Sequence, residues 1–364
     1  MIIRKIKINN FRCFNQRKIA FSPKNNIILG SNAIGKTSVL EAITCLSVLK
    51  SFRTSDQTEI IKEHCDYFYV EGEVLSENKL DVASVYFDKS AKRVKINNYV
   101  YKKLSDYVGF FNVVTFSALD FLVLKGTSSE RRRMFDLVFC QISKDYLIMS
   151  NYYKKLLKDR NTLLKAFILE NRGKTLTLIE TVTEQMIEYG NKIIDFRRAF
   201  CLKISEFAKK AHFKISSGLE EFALKYSSSC DKLSKEVFLK SFEEDKRKGY
   251  TTVGPHRDDY IFIINNKNIG EYGSQGQQKA ALLCVKIALS EMFCKEKNVS
   301  PIVLLDDVFG ELDAAKQNEL LSLFQNVEQV IMTTTTLSDI DEKMLINANV
   351  IYLNEKEETQ HGRK

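Results

Sequence analysis

The sequence predicts an α/β protein carrying an inserted, mainly helical lobe, and three stretches support that prediction. A short apolar run, Asn26-Ile27-Ile28-Leu29, leads into a glycine loop and then a segment with apolar residues at helical spacing. Residues 67 to 100 are rich in β-branched and aromatic side chains with turn signals between them. From residue 130 to about 211 strand patterning gives way to long amphipathic repeats.

In chain order, Met1 to Ile8 alternates apolar and basic residues as a strand does, and short strands fill the first thirty residues up to the loop. Val39, Leu40, Ile43 and Leu46 place a helix over Thr37 to about Leu49. Tyr67 to Val100 reads as an antiparallel sheet. In the helical insert, Tyr153, Leu156, Leu157 and Leu164, then Ile179, Val182 and Met186, mark apolar faces, while Gly173 and Gly190 are expected to break or cap helices. Those patterns are too short and interrupted for a long coiled coil. Strands return at 222–226 and 260–264, a helix is expected from Gln277 to about Lys295, and Ile302-Val303-Leu304-Leu305 is an apolar strand ending in two aspartates. A helix near 314–325 and a strand at Val330-Ile331-Met332 complete the α/β layer.

Composition limits the function classes. The 364 residues, 44% of them hydrophobic, exclude a fibrous or wholly disordered chain and favour two lobes. A net charge of +9 favours polyanionic partners. The eight cysteines form no C-x-x-C pair, which argues against a zinc site or a disulfide framework, and no apolar run is long enough to span a bilayer. The expectation is a cytoplasmic protein with no membrane partner and no signal peptide.

Gly30-Ser31-Asn32-Ala33-Ile34-Gly35-Lys36-Thr37 fits G-x-x-x-x-G-K-[ST] in the required context of a strand before it and a helix after it. The glycines let backbone N–H groups turn inward around phosphates, Lys36 reaches the β and γ phosphates, and the Thr37 hydroxyl ligates magnesium. Asp306, at the end of the apolar strand, is the expected magnesium partner, and Asp307 the group that orients or deprotonates the attacking water. Gly273-Ser274-Gln275-Gly276-Gln277-Gln278-Lys279 opens a helix either as a plain N-cap or as a second anion-binding turn; one chain needs only one such site, so in the second reading it suits a partner copy's ATP.

These three motifs in this order, followed by Gly310-Glu311-Leu312-Asp313, resemble the ABC-type ATPases of the recombination and SMC group. The resemblance narrows to the RecF family. It is carried by Asn10-Phe11-Arg12, Ser51-Phe52-Arg53-Thr54-Ser55, Lys125-Gly126 with Arg131-Arg132-Arg133 and Asp136, and Leu157-Lys158-Asp159-Arg160-Asn161. It continues through Gly254-Pro255-His256-Arg257-Asp258-Asp259 and Gln329 with Thr333 to Thr336. The resemblance implies an ABC-ATPase-like head, a P-loop α/β core plus an antiparallel β subdomain, with an inserted helical lobe and no long coiled coil. Lobe I would comprise residues 1–110 and 296–364, and lobe II residues 111–295 with the signature motif.

It also implies ATP and magnesium as cofactors and an ATP-dependent homodimer that binds gapped or junction DNA. The partners implied are RecO and RecR, helping to load RecA on single strands, with roles in replication restart and the SOS response. By motif position Gly30 to Ser38 contact nucleotide from one chain, and Ser274, Gly276 and Gln277 from the other, with Ser274 on the γ-phosphate held by the partner copy's Lys36. Asp313 would lie in the loop crossing the dimer seam. Asp307 where such ATPases usually carry Glu, and threonines at the switch position, imply slow, DNA-stimulated hydrolysis used as a switch. A transporter-type subunit or an SMC-like scaffold without hydrolysis are the alternatives.

Several residues keep two readings at this stage. His256 and Arg257 either shape the lobe or touch DNA, or they belong to a turn stabilised by Pro255 and Asp258. Arg12 reads either as a nucleotide contact or as an exposed strand-end arginine, and the clusters Arg131-Arg132-Arg133 and Lys154-Lys155 to Arg160 either as solvated helix faces or as DNA contacts.

Overall fold

The computed structural model describes residues 1–54, 56–117, 120–169, 172–308, 327–340, 345 and 348–354. Strands β1 (Ile2–Phe11), β2 (Phe14–Ala20), β4 (Tyr67–Ser76), β5 (Lys79–Asp88), β6 (Ala91–Ile96) and β7 (Tyr99–Val100) form an antiparallel sheet in the order β2-β1-β4-β5-β6-β7. Alternation decides its buried face: Ile6 and Ile8 of β1, then Phe68, Val70 and Val74 of β4, are inside. The β4–β5 connection places Glu77 and Asn78 both at positive φ, the geometry of a tight two-residue hairpin.

A second, parallel sheet has the order β14-β3-β13-β12-β8, built from β3 (Asn25–Leu29), β8 (Val113–Ser117), β12 (Ile302–Asp306), β13 (Val330–Thr334) and β14 (Ala348–Tyr352). Strands β12 and β13 are buried at every position, which is why they read as continuous apolar runs. Helix α1 (Lys36–Val48) is packed between the two sheets, and Gly72 of β4 lets it approach: a Cβ there would lie 2.5 Å from Leu46 Cδ2. Period 2 splits the core. Ile28, Ile302, Leu304 and Ile331 face α1 and the antiparallel sheet, whereas Ile27, Val303, Leu305 and Met332 face the helical side.

On that helical side lie α2 (Asp120–Lys125), α3 (Ser128–Ile142), α4 (Lys144–Leu169), α5 (Arg172–Ile215), α6 (Lys235–Lys248) and α7 (Ile269–Tyr272), ahead of α8 (Gln275–Lys297). A small sheet, β11-β10-β9, is made by β9 (Phe222–Ser227), β10 (Asp259–Ile264) and β11 (Lys267–Asn268). Helix α8 is apolar around most of its circumference and is buried accordingly.

The expected break at Gly190 does not occur. Helix α5 runs unbroken for 44 residues, with Gly173 in its first turn. Gly190 faces Leu233 and Tyr153 so closely that a side chain would overlap Leu233 Cδ1, so the glycine permits close packing instead of ending a helix. Even so, α5 forms no long coiled coil among the described residues; it packs on α4, α8 and β9. No helix among the described residues is long and apolar enough to cross a membrane. The helix expected near 314–325, and Gly310 to Asp313, lie outside the described residues.

Candidate nucleotide site

The carboxyl ends of β3, β12 and β13 meet at one edge of the parallel sheet, where open α/β sheets place their ligands. From β3 the chain turns through Gly30 to Gly35 into α1. Gly35 has φ 104°, and a Cβ there would come within 2.6 Å of Cys13 Sγ and Phe14 Cζ; Ala33 also lies at positive φ. Lys36 is nearly buried at the first position of α1, and its ammonium donates to Gly30 O (2.8 Å) and Ser31 O (3.0 Å), which sets a positive charge inside the loop. Gly30 N donates to Thr334 O, tying the loop to β13. Ser31 and Asn32 are exposed, Ile34 half-buried and Ser38 buried.

Thr37 and Asp306, 269 positions apart, are in direct contact: Thr37 Oγ1 donates to Asp306 Oδ1 at 2.8 Å. Thr333 Oγ1 donates to the same oxygen at 3.0 Å and accepts from Asp307 N at 3.0 Å. Burial pushes the Asp306 carboxyl above the usual carboxylate range, opposed by the Thr37 and Thr333 hydroxyls. A buried carboxylate beside a hydroxyl is a hard oxygen donor pair, and it fits a magnesium ion that takes its remaining ligands from water and phosphate. Asp307 is in the left-handed region at φ 51°, where the chain turns out of β12.

Behind the loop helix sits a network that the sequence did not disclose. Glu41 of α1 is fully buried and accepts a two-pronged fork from Arg12, Nε to Oε2 at 2.9 Å and Nη2 to Oε1 at 2.6 Å. It also accepts from Ser51 Oγ and, at 3.3 Å, from Arg53 Nη1. Ser51 Oγ in turn accepts from Arg53 N and Thr54 N. Arg12 is thus not an exposed strand end: it neutralises Glu41 and donates to Glu59 O. The signal in the sequence was a charged glutamate inside the mostly apolar Val39 to Leu46 run.

Ser274 is the N-cap of α8 in a capping box: its Oγ accepts from Gln277 N, and Gln277 Oε1 accepts from Ser274 N. Gln277 Nε2 donates to Glu220 Oε1 at 2.7 Å, fixing the turn to the helical lobe. Ser274 and Gly276 are exposed, and a Cβ on Gly276 would meet nothing closer than 3.9 Å. The amino-terminal end of this 23-residue helix is therefore at the surface, where the partial positive charge of a helix start favours an anion.

In the basic clusters the arginines are architectural, whereas Lys154, Lys155 and Lys158 are exposed, as a solvated helix face requires. Arg131 forks onto Asp259 and donates to Gly126 O, Arg132 donates to Asp258 O, and Arg133 to Ser51 O and Thr54 O. Arg160 is 1% exposed and pairs with Asp245 at 2.7 Å. The Gly254–Asp259 string is a packed turn. Gly254 takes φ 124°, His256 Nδ1 and Nε2 meet Tyr153 Oη and Thr251 O, and Asp258 accepts from Ser229 N and the Tyr226 hydroxyl.

A glycine loop between β3 and α1, a carboxylate at the end of buried strand β12 one strand further across the sheet, and a capped helix turn borne by a second lobe define an ABC-type nucleotide-binding head. A family model described as RecF/RecN/SMC N terminal domain matches residues 2–360, and the chain belongs to that family, within its RecF branch. Similar proteins include the DNA replication and repair protein RecF of an Exiguobacterium species, 36% identical over 98% of both chains. RecF of Bacillus cytotoxicus is 38% identical over 97% of both. A solved structure described as the recombination mediator protein RecF-ATP in the RecFOR pathway superposes with TM-score 0.84 at 32% identity, covering 93% of each chain. An Smc head bound to the C-winged helix domain of ScpA, at 16% identity and TM-score 0.53, shares the fold.

Proposed function

We propose that this chain is a DNA-binding ATPase of recombinational gap repair, which uses slow, DNA-stimulated hydrolysis as a switch. The observation that supports it most is the Thr37–Asp306 hydrogen bond, which assembles the two ends of a magnesium and phosphate site in a chain whose relatives are RecF proteins. Gly30 to Ser38 would wrap the phosphates, and Lys36 would balance charge on the γ-phosphate. Magnesium, when held by Thr37 and Asp306, supplies further charge to the phosphates. Asp307 would hold the attacking water and accept its proton while the γ-phosphoryl group leaves ADP. Thr333, bonded to both Asp306 and the Asp307 backbone, is the natural switch residue of the threonine run.

Ser274, Gly276 and Gln277 would serve the nucleotide of a second copy, since Ser274 and Gly276 are exposed at the head of α8. In this reading residues 1–110 with 296–364 form lobe I and residues 111–295 lobe II, with β8 the strand that lobe II contributes to the shared parallel sheet. The dimer would act in the cytoplasm on gapped or junction DNA with RecO and RecR, assisting RecA, replication restart and the SOS response. The test is size measurement with and without ATP for wild type and Ser274→Arg. Wild type is expected to double in mass with ATP and the variant to stay monomeric; an ATP-independent dimer, or a variant that dimerises normally, overturns the model.

A further inference from the structure

A cavity of about 540 Å³ opens where the segment after α1 meets α3, α4, α5 and the Pro255-His256 turn. None of the phosphate-loop residues line it. Five cationic side chains do, Lys50, Arg132, Arg133, Lys154 and Arg197, against a single carboxylate, Asp136. Asp136 answers Arg197 at 2.8 Å. Arg133 donates from Nη2 to the carbonyls of Ser51 and Thr54, which do not neutralise its charge. Among the described residues no carboxylate lies within ion-pair distance of Lys50, Lys154 or Arg133.

The excess charge is felt locally. Lys50 is exposed as a residue, yet protein crowds its ammonium, and its pKa falls below the usual lysine value first through desolvation and then through the charge of Lys154. Arg132 is lowered in the same way by burial and then by Arg197. Like charges held together in a concave site raise the local positive potential and favour an anion between them. The volume is that of a small-ligand pocket, which runs to about 300–1,000 Å³.

We propose that this cavity is a second anion site that takes a small phosphate-bearing anion, such as pyrophosphate or a phosphomonoester, on Lys50, Lys154 and Arg133. An anion on Arg133 would also bear on the segment from Ser51 to Thr54, whose Ser51 hydroxyl is bonded to Glu41 of the phosphate-loop helix.

The test is calorimetric titration of the full chain with pyrophosphate while ADP saturates the phosphate loop. Wild type is expected to bind pyrophosphate beside ADP. Lys50→Gln with Lys154→Gln is expected to weaken that binding about tenfold or more, the loss expected for removing charged hydrogen bonds, with ADP affinity unchanged. The pair Lys50→Arg with Lys154→Arg should restore it. The proposal is overturned if wild type binds no pyrophosphate beside ADP, or if the glutamine pair binds it equally well. It is also overturned if the arginine pair is as weak as the glutamine pair, or if the lysines matter for a gapped-duplex oligonucleotide and not for pyrophosphate, which would make the cavity part of a nucleic-acid surface.

Discussion

The His256 imidazole is enclosed by Tyr153 and the Gly254–Asp258 turn, and burial lowers its pKa to about 4, opposed by the Thr251 carbonyl. An unfolded histidine takes up its proton near pH 6.5, so between that pH and about 4 the unfolded chain binds one proton that the folded chain does not. Stability contributed by neutral His256 is therefore complete above pH 6.5 and is lost as pH falls, by about 3 kcal/mol at most. Melting of wild type and His256→Gln between pH 7.5 and 5 checks this: the melting temperature of wild type should fall more steeply. Arg160 gives a second expectation. Its guanidinium is buried against Asp245, Thr183 and Thr251, so Arg160→Ala leaves the buried Asp245 carboxylate without its cation and should cost about 3–5 kcal/mol in chemical denaturation. Residues whose chemistry is local were legible in the sequence: Lys36 and Thr37 follow from loop spacing, and Asp306 from its place at the end of an apolar strand. Arg12 and Arg160 were not, because their carboxylates lie 29 and 85 positions away and a pairing at that distance leaves no trace in one sequence.

At the scale of elements, the contact of α5 with α4 and Leu233 depends on the absence of a side chain at Gly190. Alanine is worth up to about 1 kcal/mol over glycine inside a helix, yet the new methyl would overlap buried Leu233 and reach 3.2 Å from Tyr153 Cε2. Gly190→Ala is expected to destabilise the protein by about 1–3 kcal/mol by overpacking. An increase in its denaturation midpoint would show instead that propensity outweighs packing. The same glycine was misread from sequence because propensity speaks of the isolated helix, whereas packing against Leu233 is set by residues 43 positions on. Helix α6 was missed from sequence: its cap residues Ser234 and Gly249 flank a charged stretch whose apolar stripe is narrow. Strand β8 was hidden by brevity: five residues of Val113 to Ser117 carry too little alternation to separate a buried strand from loop.

At the scale of the molecule, a buried side chain ties the two sheets together. Gln329, fully buried, accepts from Ile3 N and donates to Ile3 O and Ser22 O, each at 2.8 Å. It occupies the flank of β1 beyond the last β2 pair, Lys5 with Ala20. Gln329→Leu would strand these backbone groups and should lower global stability by about 2–4 kcal/mol, read as a shift of a single denaturant transition. The fold class was legible because each layer has its own periodicity; the joint between layers was not, since one glutamine has no period. The parallel sheet has a further consequence for how the chain is made. Strand β3, with the phosphate loop at its end, lies between β13 and β14, which close only at residue 352, whereas β1, β2 and β4 to β7 pair within the first hundred residues. During translation, at about 5–20 residues per second, the antiparallel sheet can form while β3 still lacks both neighbours. A nascent chain should therefore gain nucleotide affinity only once β14 has emerged, so that shorter ribosome-bound fragments do not compete for ATP.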